Sequence, residues 1–353
     1  MHGRSIMVLT GSDVLTLLSG MERDVIETVR AAYEAHSGSE SSLPPSTFLR
    51  FPNDQTNRII ALPAYLGGEF ETAGIKWISS FPGNLDQGID RAAAVIILNS
   101  VTTGRPHAML EGSIISAKRT AASAALAARA LHEDHQVRSV GIVGCGPINF
   151  EIQRFLLSIF PSIKTLYLYD LSPEHAERFK HTCEETFEGI TAEVVADLQV
   201  LFGTSSLVSL ATTAVHPHIS DLSGLAPGST ILHVSLRDLV PEIILSTDNV
   251  VDDVEHVCRA QTSIHLAEQL VGTREFIRCT IADVTRGTAP PKRDTKSITV
   301  FSPFGLGVLD LAVAEFVYKR AVKEGKGTLI ESFLPASWLQ RADETTFRPP
   351  SST

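Results

Sequence analysis

Residues 138–170 read RSVGIVGCGPINFEIQRFLLSIFPSIKTLYLYD, and the order of textures in this run decides the fold. Val140 to Val143 predicts an apolar strand, Gly144 and Gly146 a tight turn, and the amphipathic run after Pro147 a helix. A second strand ends at Asp170. The glycines let a pyrophosphate approach where a Cβ would collide. The free amides opening the helix, including those of Ile148 and Asn149, supply donors and the positive end of a dipole. Pro147 suits a first helical turn, where its missing N–H costs nothing. Asn149 stands where the GxGxxG pattern has its third small residue, so the glycine motif alone is a weak signal. Asp170 strengthens it. A carboxylate ending the second strand, 26 residues after Gly144, is placed to accept bonds from the adenosine ribose hydroxyls and to repel a 2′-phosphate. The expected cofactor is therefore NAD rather than NADP. The plain alternative is a βαβ unit with a glycine turn and a surface Asp.

The alternation continues downstream, with a helix over 173–187 and strands over 192–195, 207–211, 230–234 and 249–252. Strands separated by helical stretches imply a parallel sheet with crossovers. Ligands bind such sheets beyond the strand C-termini, which puts Thr212, Thr213, Val234, Ser235 and Asp238 near cofactor or substrate by topology. The preceding residues read differently, with a helix over 21–36, strand-like runs over 58–62, 74–78 and 93–98, and an Ala-rich connecting helix over 113–131. A helix over 308–322 is expected to return to this first region. The fold class is α/β: a Rossmann-type doubly wound parallel sheet over 123–301, with a second α/β domain formed by 1–122 and 302–353.

A chain of 353 residues with 43% hydrophobic and 20% charged residues has the composition of a globular protein of two domains. Thirty basic against 40 acidic residues give a net charge of -10, which with no long Lys/Arg block argues against nucleic acid or an anionic membrane as partner. An anionic substrate then needs a local basic pocket. The four cysteines, Cys145, Cys183, Cys258 and Cys279, form no CxxC pair, so neither a disulfide framework nor a zinc site is expected. Cys145 reads as a packing residue of the glycine loop. The apolar stretch before Gly11 is too short for a signal peptide and no 18-residue apolar run occurs, so the expected location is the cytoplasm. The polar, proline-rich end TTFRPPSST is expected to be disordered.

Three cations in the first region stand out: Arg50 in FLRFP, Lys76 in AGIKWIS and Arg119 in SAKRTAA. Lys76 lies in an otherwise apolar strand, an expensive place for an ammonium unless it faces a ligand or a partner. Each of the three taken singly also fits a surface or salt-bridged residue. His233, in a buried-looking strand, reads as a hydrogen-bonded core imidazole. The HEDH run at 132–135 and His216-Pro217-His218 lack a zinc spacing with a third ligand and read as solvated loop residues.

The segments RIIALPAYLGG (58–68), AGIKWISSFPGN (73–84), RAAAVIILN (91–99), SIISAKRTAASAALAARAL (113–131), IVGCGPIN (142–149) and SPFGLGVLDLAVA (302–314) resemble the ornithine cyclodeaminase/μ-crystallin family, in the same order over nearly the whole chain. The resemblance implies a homodimer joined through the sheets of its first domains, with substrate in the cleft facing the nicotinamide. It implies that Arg50, Lys76 and Arg119 hold substrate carboxylates, that Arg91 adds an anion contact, and that Asp238 is the catalytic aspartate, with Lys76 a second candidate for the base. Thr120 and Gly305 fall among the expected cofactor contacts. Cyclodeaminases carry a glycine-rich GGD-type segment at the aspartate, whereas this chain has Ser235, Leu236, Arg237 and Asp238. A simple ion pair between Arg237 and Asp238 is the structural alternative. The likeness runs to a branch that oxidises the secondary amine N-(2-amino-2-carboxyethyl)-L-glutamate with NAD, giving 2,3-diaminopropionate for siderophore or antibiotic synthesis. Cyclodeamination, amino-acid dehydrogenation, imine reduction and non-catalytic ligand binding are the competing expectations.

Overall fold

A computed structural model describes residues 4–335. Two eight-stranded sheets organise them. The second sheet carries the glycine motif. Its order is Thr191–Val194, Thr165–Tyr169, Ser139–Val143, Leu207–Leu210, Thr230–His233, Thr299–Ser302, Asp248–Val251 and Ile277–Thr280, and every neighbouring pair is parallel. Leaving Ser139–Val143 the chain winds outward in one direction, then returns to lay Leu207–Leu210 on the other side of that strand. The reversal opens a crevice between the two strand ends. All four residues of Leu207–Leu210 and of Thr230–His233 are buried, as a parallel sheet covered on both faces requires.

The first sheet is mostly antiparallel. It runs from Thr328–Ile330 through Ile6–Leu9, Pro106–Glu111, Ala94–Ser100, Thr72–Ser80 and Asp54–Leu66 to Ser41–Ser42, with Thr47–Phe51 also paired to Asp54–Leu66. Alternation along Thr72–Ser80 sends Lys76 inward and Trp77 outward. The inner face is covered by the helix Gly307–Glu324, where Leu311 approaches Gly74 and Gly307 sits against Leu62 and Ala64.

The helix Ser113–Leu131 spans the stretch expected for it and runs through residue 122, where the two domains were expected to divide. Its buried alanines let it pack closely between the sheets, and Lys118 pairs with Glu151 on the helix Pro147–Ile159 at 2.9 Å. Expected elements agree closely with observed ones at Glu22–Ser37, Pro173–Thr186 and Gly307–Glu324. One reading needs correction: His132 is buried rather than solvated, with Nδ1 3.1 Å from Thr230 Oγ1. Among the described residues no helix is long and apolar enough to cross a membrane. The terminal TTFRPPSST segment lies outside the described residues.

Candidate active site

The glycine turn sits at the mouth of the crevice. Gly144 has φ +90°, and a Cβ there would come within 2.6 Å of Ala211 O and 3.2 Å of Thr212 Cα. Only glycine fits both the backbone angle and the contact. Nothing lies within 4 Å of a Cβ built on Gly146, so the space above the helix N-terminus is open. Pro147 begins that helix with Gly146 as its extended N-cap. This is a cradle for a pyrophosphate. Asp170 accepts a bond from Cys145 N at 2.8 Å and from Ser172 N at 2.9 Å, which fixes its carboxylate beside the loop with further lone pairs to spare. The residues present therefore fit a dinucleotide.

Asn149 serves a purpose the motif did not suggest. It is fully buried, its amide donates to Val143 O and Gly144 O at 2.9 and 2.6 Å, and its oxygen accepts from Ser209 Oγ at 2.6 Å. With its amide hydrogens and oxygen so engaged, it braces the turn from behind instead of reaching the cofactor side. Cys145 is no nucleophile: burial first, then the Asp170 carboxylate, pushes its thiol up to about 12.

Across the cleft, three ionised side chains from three elements meet in the interior. Lys76 donates a hydrogen bond to Ser116 Oγ at 3.0 Å and lies 2.7 Å from Asp310 Oδ2, an ion pair without an aligned hydrogen bond. Arg119 Nε donates to Asp310 Oδ1 at 3.0 Å. Ser116 and Arg119 project from one side of the helix Ser113–Leu131, three residues apart. Thr120, beside them, donates its hydroxyl back to Ser116 O. Burial pushes the Asp310 carboxyl up, but Arg119 and Lys76 outweigh it and hold the group below its ordinary range. Burial lowers Lys76 to about 8; Asp310 opposes that shift and Arg119 adds to it. Two cations sharing one carboxylate leave an uncompensated positive charge.

Gly305 shapes this cluster. With φ +91°, it sits where any Cβ would be 2.9 Å from a guanidinium nitrogen of Arg119. Asp252 holds the backbone there by accepting from Phe304 N and Gly305 N, each at 2.8 Å. Sequence reasoning missed Asp310 and Asp252. A lone acid in the apolar run FGLGVLDLAVA, facing a lone lysine in an apolar strand, was the available signal.

Asp238 forms a second centre at the C-terminal edge of the parallel sheet. It is fully buried; Thr212 Oγ1 and Ser235 Oγ donate to its two oxygens, and His233 Nε2 lies 3.3 Å from Oδ2. Burial pushes its carboxyl up, but His233, Ser235 and Thr212 outweigh that and hold it below the ordinary value. His233 is the buried, bonded imidazole expected, with Nδ1 3.1 Å from Ser302 Oγ. Leu236 takes φ +69° in the same turn, a conformation glycine adopts more easily. Arg237 does not close a salt bridge on Asp238; its guanidinium donates to Ala260 O at 2.7 Å. Val234 N and Ser235 N both bond to Leu210 O, which ties this turn to the strand end beside the glycine loop. Thr213 is exposed there. Arg50 is exposed and Arg91 half-buried at the rim of the first sheet.

A dinucleotide turn, a buried Lys–Asp–Arg cluster and a buried Asp at the strand edge together make up the candidate site. The model of the ornithine cyclodeaminase/mu-crystallin family matches residues 4–325. The chain belongs to this family. Among members, the N-((2S)-2-amino-2-carboxyethyl)-L-glutamate dehydrogenase of Staphylococcus aureus is 27% identical over 94% of this chain and 99% of its own. The Thermococcus litoralis Delta(1)-pyrroline-2-carboxylate reductase, in complex with NADH and L-proline, superposes with a TM-score of 0.84 at 26% identity, covering 92% of this chain and 99% of that one. An archaeal alanine dehydrogenase dimer with bound NAD gives 0.82 at 27% identity, covering 93% and 99%. These ornithine cyclodeaminase/mu-crystallin relatives are oxidoreductases of amino-acid carbon–nitrogen bonds, and this chain is an oxidoreductase of that kind.

Proposed function

We propose that the protein is an NAD-dependent dehydrogenase that cleaves N-(2-amino-2-carboxyethyl)-L-glutamate oxidatively to 2,3-diaminopropionate and 2-oxoglutarate. The observation that carries this is Lys76, a buried amine lowered to about 8 and set among charges that favour an anionic ligand. NAD+, when bound on the Gly144 loop, accepts a hydride.

Substrate carboxylates sit against Arg119, with Arg50 and Arg91 on the rim; bidentate guanidinium contacts fix the glutamyl α-carbon toward the nicotinamide side. Lys76, in its neutral form, takes the proton from the secondary amine, freeing the lone pair that drives hydride from the α-carbon. A carbon–nitrogen double bond forms, water adds to it, and the C–N bond then breaks with its electrons on the departing 2,3-diaminopropionate nitrogen. The sum is substrate, NAD+ and water giving two products, NADH and one proton. Asp238 keeps Thr212 and Ser235 oriented at the strand edge and acts on the water through them, because its own carboxylate has no open surface.

A homodimer completes the reading. Leu49, Tyr65 and Trp77 lie exposed on the outer face of the first sheet, an apolar surface of the kind a second copy covers. Cytoplasmic location and a role in supplying 2,3-diaminopropionate to siderophore or antibiotic assembly belong to the same proposal. The test is absorbance at the NADH wavelength with purified protein, NAD+ and the secondary amine, run beside ornithine, alanine and proline. NADH and 2-oxoglutarate in equal amounts from the secondary amine alone support the assignment. NADH from alanine alone moves it to alanine dehydrogenation, and ammonia without NADH from ornithine moves it to cyclodeamination.

A further inference from the structure

Two fully buried polar side chains, His233 and Ser302, end neighbouring parallel strands at the edge that carries Asp238. Each strand hands over to a functional segment there. His233 leads into the turn 234–238, which ends at Asp238, and Ser302 leads into the loop 303–305, which ends at Gly305. Burial without a partner is costly for either group, so the bonds between them decide what they do.

Those bonds fix the state of the imidazole. Asp238 N donates to His233 Nε2 at 3.2 Å. A backbone amide can only donate, so Nε2 carries no hydrogen and the ring's proton sits on Nδ1. From there it donates to Ser302 Oγ at 3.1 Å. Among the described residues Asp238 N has no other acceptor, and an apolar side chain at position 233 would orphan both that amide and the Ser302 hydroxyl. Nε2 also lies 3.3 Å from Asp238 Oδ2, so a second proton on the ring would turn this nitrogen from the amide to the carboxylate.

The far end of the link reaches the other centre. Gly305 lies against the Arg119 guanidinium, and Asp252 holds Phe304 N and Gly305 N at 2.8 Å each. At the near end the turn contains Leu236 at φ +69°, an angle that a side chain disfavours, and the tie at Asp238 N keeps this turn from relaxing. We infer that His233 is a positioning residue: as the neutral Nδ1–H tautomer it joins the turn that carries Asp238 to the loop that carries Gly305, and so holds the spacing between Asp238 and Arg119. The inference rests on the amine-dehydrogenase reading, in which Asp238 acts on the attacking water and Arg119 holds a substrate carboxylate. A misplacement of about 1 Å between such groups costs on the order of 100-fold in rate, so a buried link can set kcat without meeting the substrate.

The experiment compares wild type with two variants that cut the link from opposite sides. His233→Gln keeps an oxygen for Asp238 N and gives up Ser302; Ser302→Ala removes the hydroxyl. Hydrogen exchange of the NAD+-loaded full chain, read by mass spectrometry, is expected to run about tenfold faster in 234–238 for Ser302→Ala and in 304–305 for His233→Gln. Ring 15N spectra of wild type at pH 7 should place the His233 hydrogen on Nδ1 alone. With whichever of the secondary amine, alanine, proline and ornithine the wild type oxidises, kcat should fall about tenfold or more in each variant while KM for NAD+ stays within about twofold. The double variant should be no slower than the slower single one, because both changes cut one link. If His233→Gln fails to fold, exchange in 234–238 of Ser302→Ala decides. A wild-type hydrogen on Nε2, protection lost solely in the segment next to the substitution, or effects on kcat that multiply overturns the inference. A wild type that makes no NADH from the secondary amine yet shows the reciprocal exchange pattern refutes the reaction and leaves the link standing.

Discussion

Replacing Lys76 by Met should abolish activity without weakening the fold. Lys76 is buried and its proton affinity is reduced from an ordinary 10.5 to about 8. That difference corresponds to ~3 kcal/mol by which the folded site disfavours the charged amine relative to water. Below pH 8 the native protein carries this cost in full. Methionine removes it at similar length, and Asp310 keeps its charge paired through Arg119 at 3.0 Å while its Oδ2 loses the lysine. Urea unfolding at pH 7 should therefore find Lys76→Met equal to or more stable than wild type, by up to ~3 kcal/mol. The sign of the pH dependence follows from linkage. Between pH 8 and 10.5 the unfolded chain holds the Lys76 proton and the native chain does not, so wild type gains stability with rising pH and the advantage of Met shrinks. Over the same range wild-type kcat/KM should climb through an apparent pKa near 8 as the free base appears, while Lys76→Met stays at least 100-fold lower throughout. A Met variant less stable at pH 7, with a deficit that ignores pH, would falsify the view of Lys76 as a strained base and make it structural.

Two further substitutions probe the other centres. Asp170→Asn removes the charge that repels a 2′-phosphate while keeping an oxygen for Cys145 N, and steady-state kinetics should show the NADP+/NAD+ ratio of kcat/KM rising at least tenfold; an unchanged ratio would mean that the carboxylate does not face the ribose. Asp238→Asn keeps the shape but takes an acceptor from Thr212 or Ser235, so kcat should fall about 100-fold with KM little changed, and a loss confined to KM would assign the residue to binding.

The parallel sheet and its cofactor turn were legible because their signals are local: Gly144, Pro147 and Asp170 each declare themselves within a few residues. What escaped is what register and packing create. Asp310 is one acid on an apolar helix, and its meaning comes from Lys76 and Arg119, which approach from two other elements. Asn149 reads as a defective glycine position and proves to be the brace that makes the turn rigid. The strands Ile6–Leu9 and Thr328–Ile330 are too short to carry a clear alternation, and each is defined by its neighbours.

That last pairing has a consequence for handling the molecule. Ile6–Leu9 has Pro106–Glu111 on one side and Thr328–Ile330 on the other, and beyond the latter Leu334 N bonds to Arg4 O at 2.9 Å. The family match ends at residue 325, just before this closing strand. A version cut there would expose the N-terminal strand as an open template of unpaired amides and carbonyls, flanked by Met7 and Leu9, which invites chain-to-chain β addition and precipitation. The three residues 328–330 thus act as a selvage, keeping the woven margin of the first sheet from being extended by a stranger.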